Sequence, residues 1–476
     1  MLNNDALLYI FHLYRPELVD EEEFCENGGR VLQGGRWGNG RWWYRLVKVC
    51  RRWRYLILTS PSHLGLLLVC TYHTPISKML KHSRPFPLIL DYVDENHQMT
   101  TKDESSILLA LKHRHRVQRI RLLAPVLQSQ KLIAAMDGRF PQLEFLYIPP
   151  PSKHSTGLIF PKTFRAPHLR HLVLINFAIQ LQSPFPMTTT RLVSLSLQMI
   201  HPLAYFHPND LLPHLSLMPQ LETLGISFHS PVPSRKVAKQ LLNNPTMMYV
   251  TLPNLRWFAF GGVSAYLEAL LSRISTPLLE RLQIRFVDQP TVTIAVSQLL
   301  QFMGKTNSLQ FHSLKFSFSF EEVIVTSYPR GEGKVRALHM CVDCEHLGGQ
   351  VVAAARIFDA LGPAFSEVKR LTLEDQRAIL SPEWDGRDDL PDRTQWRELL
   401  RPFGHVKTLL VLDSLVPEPS CSLRLDSGEL PLDLLPELSE LAYISKNNAD
   451  DLFFPFVDAH RIAGHPVRLI YAGAPP

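Results

Sequence analysis

The sequence predicts an α/β protein: a small helical module at the N-terminus, then an irregular solenoid of short parallel strands. Three observations predict it. Apolar residues recur at helical spacing twice before Pro61. From Val117 onward, an apolar residue, two others, an apolar residue, one other and an apolar residue recur again and again. Thirty-seven prolines, among them Pro141, Pro167, Pro219, Pro253, Pro277, Pro402 and Pro436, punctuate the chain instead of forming one tract.

The helical module comes first. Asn4 and Asp5 precede Leu7, Ile10, Phe11 and Tyr14, the spacing of one helical face with a cap in front, ending before Pro16. A loop at about 15–41 comes next, with an acidic run Asp20–Glu23 and a glycine-rich stretch GGRVLQGGRWGNG. A second helix is expected over 41–58. It places Leu46, Val49, Cys50, Trp53 and Ile57 on one face and Arg45, Lys48, Arg51, Arg52 and Arg54 elsewhere. Ser60-Pro61 ends it, because the residue before proline avoids the α region.

The repeat occupies the rest of the chain. The pattern runs twelve times, from Val117-Ile120-Leu122 through Leu169-Leu172-Leu174 and Leu279-Leu282-Ile284 to Leu438-Leu441-Tyr443, with first positions 23 to 38 residues apart. Alternating positions turn one side of a short strand inward. One such strand cannot bury its face alone, so neighbours stack into a parallel sheet. The intervening stretches 264–275, 295–304 and 350–362 read as helices, the last with Gly362 as a C-cap. A loose LxxLxL at this period is the signature of leucine-rich repeats. The uneven spacing predicts an irregular horseshoe. The expected boundaries are 1–70 for the helical module, 71–115 for a connecting segment and 116–476 for the solenoid.

Composition narrows the function classes. The chain is 45% hydrophobic and 20% charged, and its net charge of +6 demands no polyanionic partner. Cys25, Cys50, Cys70, Cys341, Cys344 and Cys421 are spaced too irregularly for a disulfide framework. They read as reduced thiols, which points to the cytoplasm or nucleus. No signal peptide, prenylation cysteine or membrane-length apolar run is read in the sequence, so no membrane is expected.

Leu7-Leu8-Tyr9-Ile10-Phe11 resembles the first helix of an F-box. Trp43, Leu46, the run Val49-Cys50-Arg51-Arg52-Trp53-Arg54 and Ser60-Pro61 resemble its second half. The stretches LLLVCTYHTPISKML and PFPLILDY are similar to the segments that come after the F-box in many fungal, basidiomycete-type members. The resemblance covers about ninety residues. It departs at Leu2-Asn3, where the family has Leu-Pro, in the long loop between helices, and at Gly65, where an aromatic often stands. The resemblance implies a Skp-type adaptor of an SCF cullin-RING ubiquitin ligase as partner. The docking residues expected are Leu7, Leu8, Phe11, Trp43, Leu46, Val49 and Trp53, with a target protein on the repeats. It implies a non-enzymatic protein with no cofactor or metal. Each docking residue could equally close the module's own core.

Two other readings stand beside it. A repeat scaffold could carry an F-box-like segment that binds no adaptor. The basic helix 41–58, with six Lys/Arg and three tryptophans between Arg41 and Arg54, could track phosphates, but its cations lie opposite an apolar stripe and read as a solvated face. The outward repeat positions are mixed in charge and do not announce a nucleic acid. His339-x-Cys341-x-x-Cys344-x-His346 has metal-like spacing, yet strand alternation separates its two halves. It reads as incidental, as does the His113–His115 pair. No phosphate-binding loop with its lysine, GxSxG or HExxH is present. The acidic loop WDGRDD at 384–389 is no catalytic pair without a cleft.

Overall fold

The computed structural model describes residues 2–14, 22–24, 30–32, 42–60, 64–72, 76–82, 86–93, 99–149, 158–177, 189–200, 205–228, 248–287, 296–306, 308–329, 336–377, 392–412, 415–424, 433–444 and 452–471. Most of the expected loop at about 15–41, with its glycines, and the acidic loop 384–389 lie outside these residues. The chain divides into two compact units, Met1–His229 and Ser230–Pro476.

In the first unit, helix α1 is Asn4–Leu13, α2 is Trp43–Leu46 and α3 is Arg51–Thr59. Asn3 caps α1 by accepting from the Ala6 amide at 2.8 Å. The single helix expected over 41–58 is two. Val47 and Val49 are β-branched and disfavour helix. Cys50 is extended, with φ −156°, and its sulfur caps α3 by accepting from the Trp53 amide. Beyond these helices, strands Leu68–Cys70, Leu88–Tyr92, Val117–Leu122, Phe145–Ile148, His171–Ile175, Ser194–Ile200 and Thr223–Phe228 each pair in parallel with the next. The sheet therefore begins at Leu68, and the segment 71–115 is no mere connection. It supplies the Leu88–Tyr92 strand and the Thr101–Leu111 helix, which opens on a capping box between Thr100 and Asp103.

In the second unit, Trp257–Gly262, Arg281–Phe286 and Leu338–Asp343 pair in parallel, as do Ser313–Phe318, Arg370–Asp375, Thr408–Leu412, Glu440–Ile444 and Arg468–Tyr471. Glu322–Tyr328 joins the two runs and is antiparallel to both neighbours. All-parallel stacking was expected here, and the reason for the departure is length. Three residues, Ser319 to Glu321, separate two strands, whereas a parallel crossover needs about a dozen or more. The chain can only turn back, and Ser319 closes the hairpin by donating its amide to Glu322 O at 3.0 Å.

The last two positions of all twelve sequence motifs fall on strands and face the core. Leu146, Leu172, Leu174, Leu195, Leu197, Leu224, Ile284, Leu371 and Leu409 are all buried. The prolines explain the way in. In Phe140–Leu143, Ala166–Leu169, Met218–Leu221, Leu252–Leu255, Thr276–Leu279 and Leu435–Leu438, the fourth amide donates to the first carbonyl at 3.0 to 3.4 Å. Proline is the second residue in each, where its fixed φ suits a turn. This turn delivers the first motif leucine to the core and starts the strand. The helices over Ser264–Leu271, Ser297–Lys305 and Leu347–Leu361 match the expected stretches. Gly362 is not a left-handed cap. Its φ is −43°, and it opens a 3-10 turn to Phe365.

Candidate functional site

Helix α1 is apolar on two sides. One side meets α3: Phe11 packs edge-on to Trp53 with ring centroids 4.8 Å apart, and Leu7, one turn earlier, is buried as well. Arg52 ties the helices by donating to Leu2 O at 2.6 Å and Asn4 Oδ1 at 2.9 Å. Trp43 is buried too. Its ring stands edge-on to Phe86 at 5.6 Å, and its indole N–H donates to Leu67 O at 3.2 Å, so α2 is anchored to the backbone leading into the first strand.

The other side of α1 faces solvent. Tyr9, Ile10, Leu13 and Tyr14 are 62%, 43%, 66% and 58% exposed. At these spacings they form one stripe along the helix. Leu2, Val49 and Tyr55 are exposed as well, so seven of the fifteen exposed large apolar side chains among the described residues lie at or before Tyr55. Single exposed apolar residues are ordinary; here they concentrate on short helices.

The seven residues expected to dock a partner divide accordingly. Leu7, Phe11 and Trp43 are buried in the chain's own core and present no surface to a partner. Leu8, Leu46 and Trp53 are half-buried, and Val49 is exposed. The expected docking set left out Tyr9, Ile10, Leu13, Tyr14 and Tyr55, and of the four residues expected on one face of α1, Leu7 and Phe11 are buried while Ile10 and Tyr14 are exposed. The signal was present, since α1 carries apolar residues over more of its circumference than one buried face uses.

A second feature is an open groove of about 700 Å³ on the proline-turn side of the first unit. Its walls are Pro87, Gln118, Pro141, Gln142, Glu144, His168, Arg170, Arg191 and Gln220. Gln118 donates to Glu144 Oε2 at 3.1 Å, and Arg191 lies 2.9 Å from Nδ1 of His168.

The cysteine and histidine pair gives neither a metal centre nor a nucleophile. Cys341 Sγ and His339 Nε2 are 3.2 Å apart on the sheet face away from the core. Burial pushes the Cys341 thiol up to about 12, with Glu322 adding to the rise. Burial, then Arg336 and Arg285, lowers His339 to about 4. A reactive cysteine needs a lowered pKa, and both groups here are neutral near pH 7. Nδ1 of His339 has no hydrogen-bond partner among the described residues, so no third group orients the ring. No set of three or more His, Cys, Asp or Glu side chains among the described residues is placed to hold a metal ion. Native protein treated with iodoacetamide near neutral pH should label at exposed Cys50 and Cys421, and at buried Cys70 and Cys341 only after unfolding. Peptide mass mapping reads this out. Cys341 labelling as fast as Cys50 would restore it as a nucleophile.

No helix among the described residues is long and apolar enough to cross a membrane. No protein-family model matches the chain, and no curated protein matches it.

Proposed function

We propose that the chain is a non-enzymatic substrate-recognition subunit of an SCF-type ubiquitin ligase. An F-box-like helical module binds a Skp-type adaptor, and a leucine-rich-repeat-like solenoid binds the target protein. The observation that carries this reading is the exposed apolar stripe Tyr9, Ile10, Leu13 and Tyr14 on a helix whose opposite side already holds its own core. Helix-in-groove recognition uses such anchors, and a few buried aliphatic and aromatic side chains supply most of the affinity. Strands stacked in sequence order support the solenoid half, because repeats that touch only their neighbours offer an extended surface to a macromolecule. The mechanism is proximity: one end holds the adaptor, the other the target, and a target lysine is kept near a charged conjugating enzyme.

The test is capture of purified Skp-type adaptor by the full chain. Ile10→Asp with Leu13→Asp should weaken capture by more than about tenfold, as loss of central anchors does, while circular dichroism stays unchanged because both side chains are exposed. Equal capture by the double variant and the parent would overturn the assignment. A parent chain that captures no adaptor would leave the scaffold reading in its place.

A further inference from the structure

The groove on the proline-turn side of the first unit has a geometry that a peptide would use. It runs past the entry ends of six successive strands, from Pro87 ahead of Leu88–Tyr92 to Gln220 ahead of Thr223–Phe228. Six strands span five steps of about 4.8 Å, so the groove is about 24 Å long. An extended peptide of about seven residues, at about 3.3 Å each, fills that length.

Its chemistry is set by the turns. In each repeat, the residue after the proline and the residue after the first motif leucine point to this side. They are Gln142 and Glu144, then His168 and Arg170. In the repeats of Leu255 and Leu279 the residue after the first motif leucine is neutralised by its neighbour: Arg256 and Glu280 pair directly. In the groove that pairing fails. Glu144 takes its hydrogen bond from Gln118 instead, and no salt bridge or side-chain hydrogen bond holds the Arg170 guanidinium among the described residues. Arg191 stands one strand further along, its contact being Nδ1 of the His168 ring. Two guanidinium groups thus face the groove without an acidic partner, flanked by amides that can bond a peptide backbone.

We propose that this groove binds an extended segment of a partner protein and seats an acidic side chain between Arg170 and Arg191. A carboxylate matches the planar donor fork of arginine. A nucleic acid fits less well, because two cations neutralise too little of a phosphate backbone. The inference deepens the target-binding half of the proposed function and rests on that reading.

The test uses the full chain and a library of heptapeptides, each random except for one central position that is Asp, Glu, Asn, Gln or Lys. The parent should enrich Asp and Glu over Asn and Gln by about tenfold, the value of one charge-assisted pair. Arg170→Ala with Arg191→Ala should abolish the enrichment, and Arg170→Glu should turn it toward Lys. Both side chains are exposed, so the variants keep the fold, and they should capture adaptor as the parent does. No enrichment, or enrichment that survives the double substitution, overturns the proposal. So does retention of single-stranded DNA that competes with the peptides. Adaptor capture without acid enrichment sinks the groove alone; acid enrichment without adaptor capture sinks the ligase reading alone.

Discussion

Arg377→Met should lower folding stability by about 4 kcal/mol, the range found when one member of a buried ion pair is removed. Asp375 ends the Arg370–Asp375 strand at a core-facing position, two residues after Leu373. Its Oδ1 accepts from the Arg377 amide and from Nε, and its Oδ2 accepts from Nη2, all at 2.9 Å. The two side chains are 5% and 2% exposed. The neighbouring layer is aromatic: Phe318, in register with Asp375, stands edge-on to Trp396 at 5.5 Å. In such surroundings the carboxylate keeps its desolvation cost and loses the guanidinium charge together with two of the three hydrogen bonds just named. Urea unfolding measures the loss. The double variant Asp375→Leu, Arg377→Met should recover more than half of it, because two apolar groups leave no stranded charge. A single variant within about 1 kcal/mol of the parent would mean that the pair is solvated and contributes as a surface bridge does.

That pair also marks a limit of the sequence. Leu371 and Leu373 announce a strand by alternation, but nothing in their spacing says that Asp375 continues inward. The repeat itself was legible because its motif leucines alternate and its prolines stand at fixed places before them. Leu68–Cys70 was not legible: all three residues are buried, so no alternation shows. The antiparallel Glu322–Tyr328 strand was legible in principle, since the short step from Phe318 forbids a parallel crossover. The candidate docking face was half legible. Helical spacing located α1, but it cannot tell which of two apolar sides the chain covers for itself. Trp53 decides that by taking Phe11, which leaves Ile10 and Leu13 outside. The groove depends on which neighbour Glu144 bonds, a matter of side-chain geometry that no pattern encodes.

The second large effect concerns how one repeat holds the next. The helix Ser297–Lys305 opens at Val296, which supplies no side-chain cap. Its first amides would be orphans. Glu268, 2% exposed in the middle of the Ser264–Leu271 helix, reaches across instead. Its Oε2 accepts from the Gln298 amide at 2.7 Å and the Ser297 hydroxyl at 3.0 Å, and its Oε1 accepts from the Leu299 amide at 2.9 Å. The charge also sits where the helix dipole favours it. Glu268→Ala removes three bonds at once and should cost about 3 kcal/mol, with hydrogen exchange at the Gln298 and Leu299 amides accelerated. Glu268→Gln keeps one acceptor oxygen and should cost less than the alanine. A loss below about 1 kcal/mol, with the Leu299 amide as protected as before, would show that water can replace the carboxylate. The expected result carries a further consequence. A cap borrowed from the preceding helix makes the order of this helix depend on its neighbour, so Glu268→Ala should loosen the Ser297–Lys305 helix before the strands on either side.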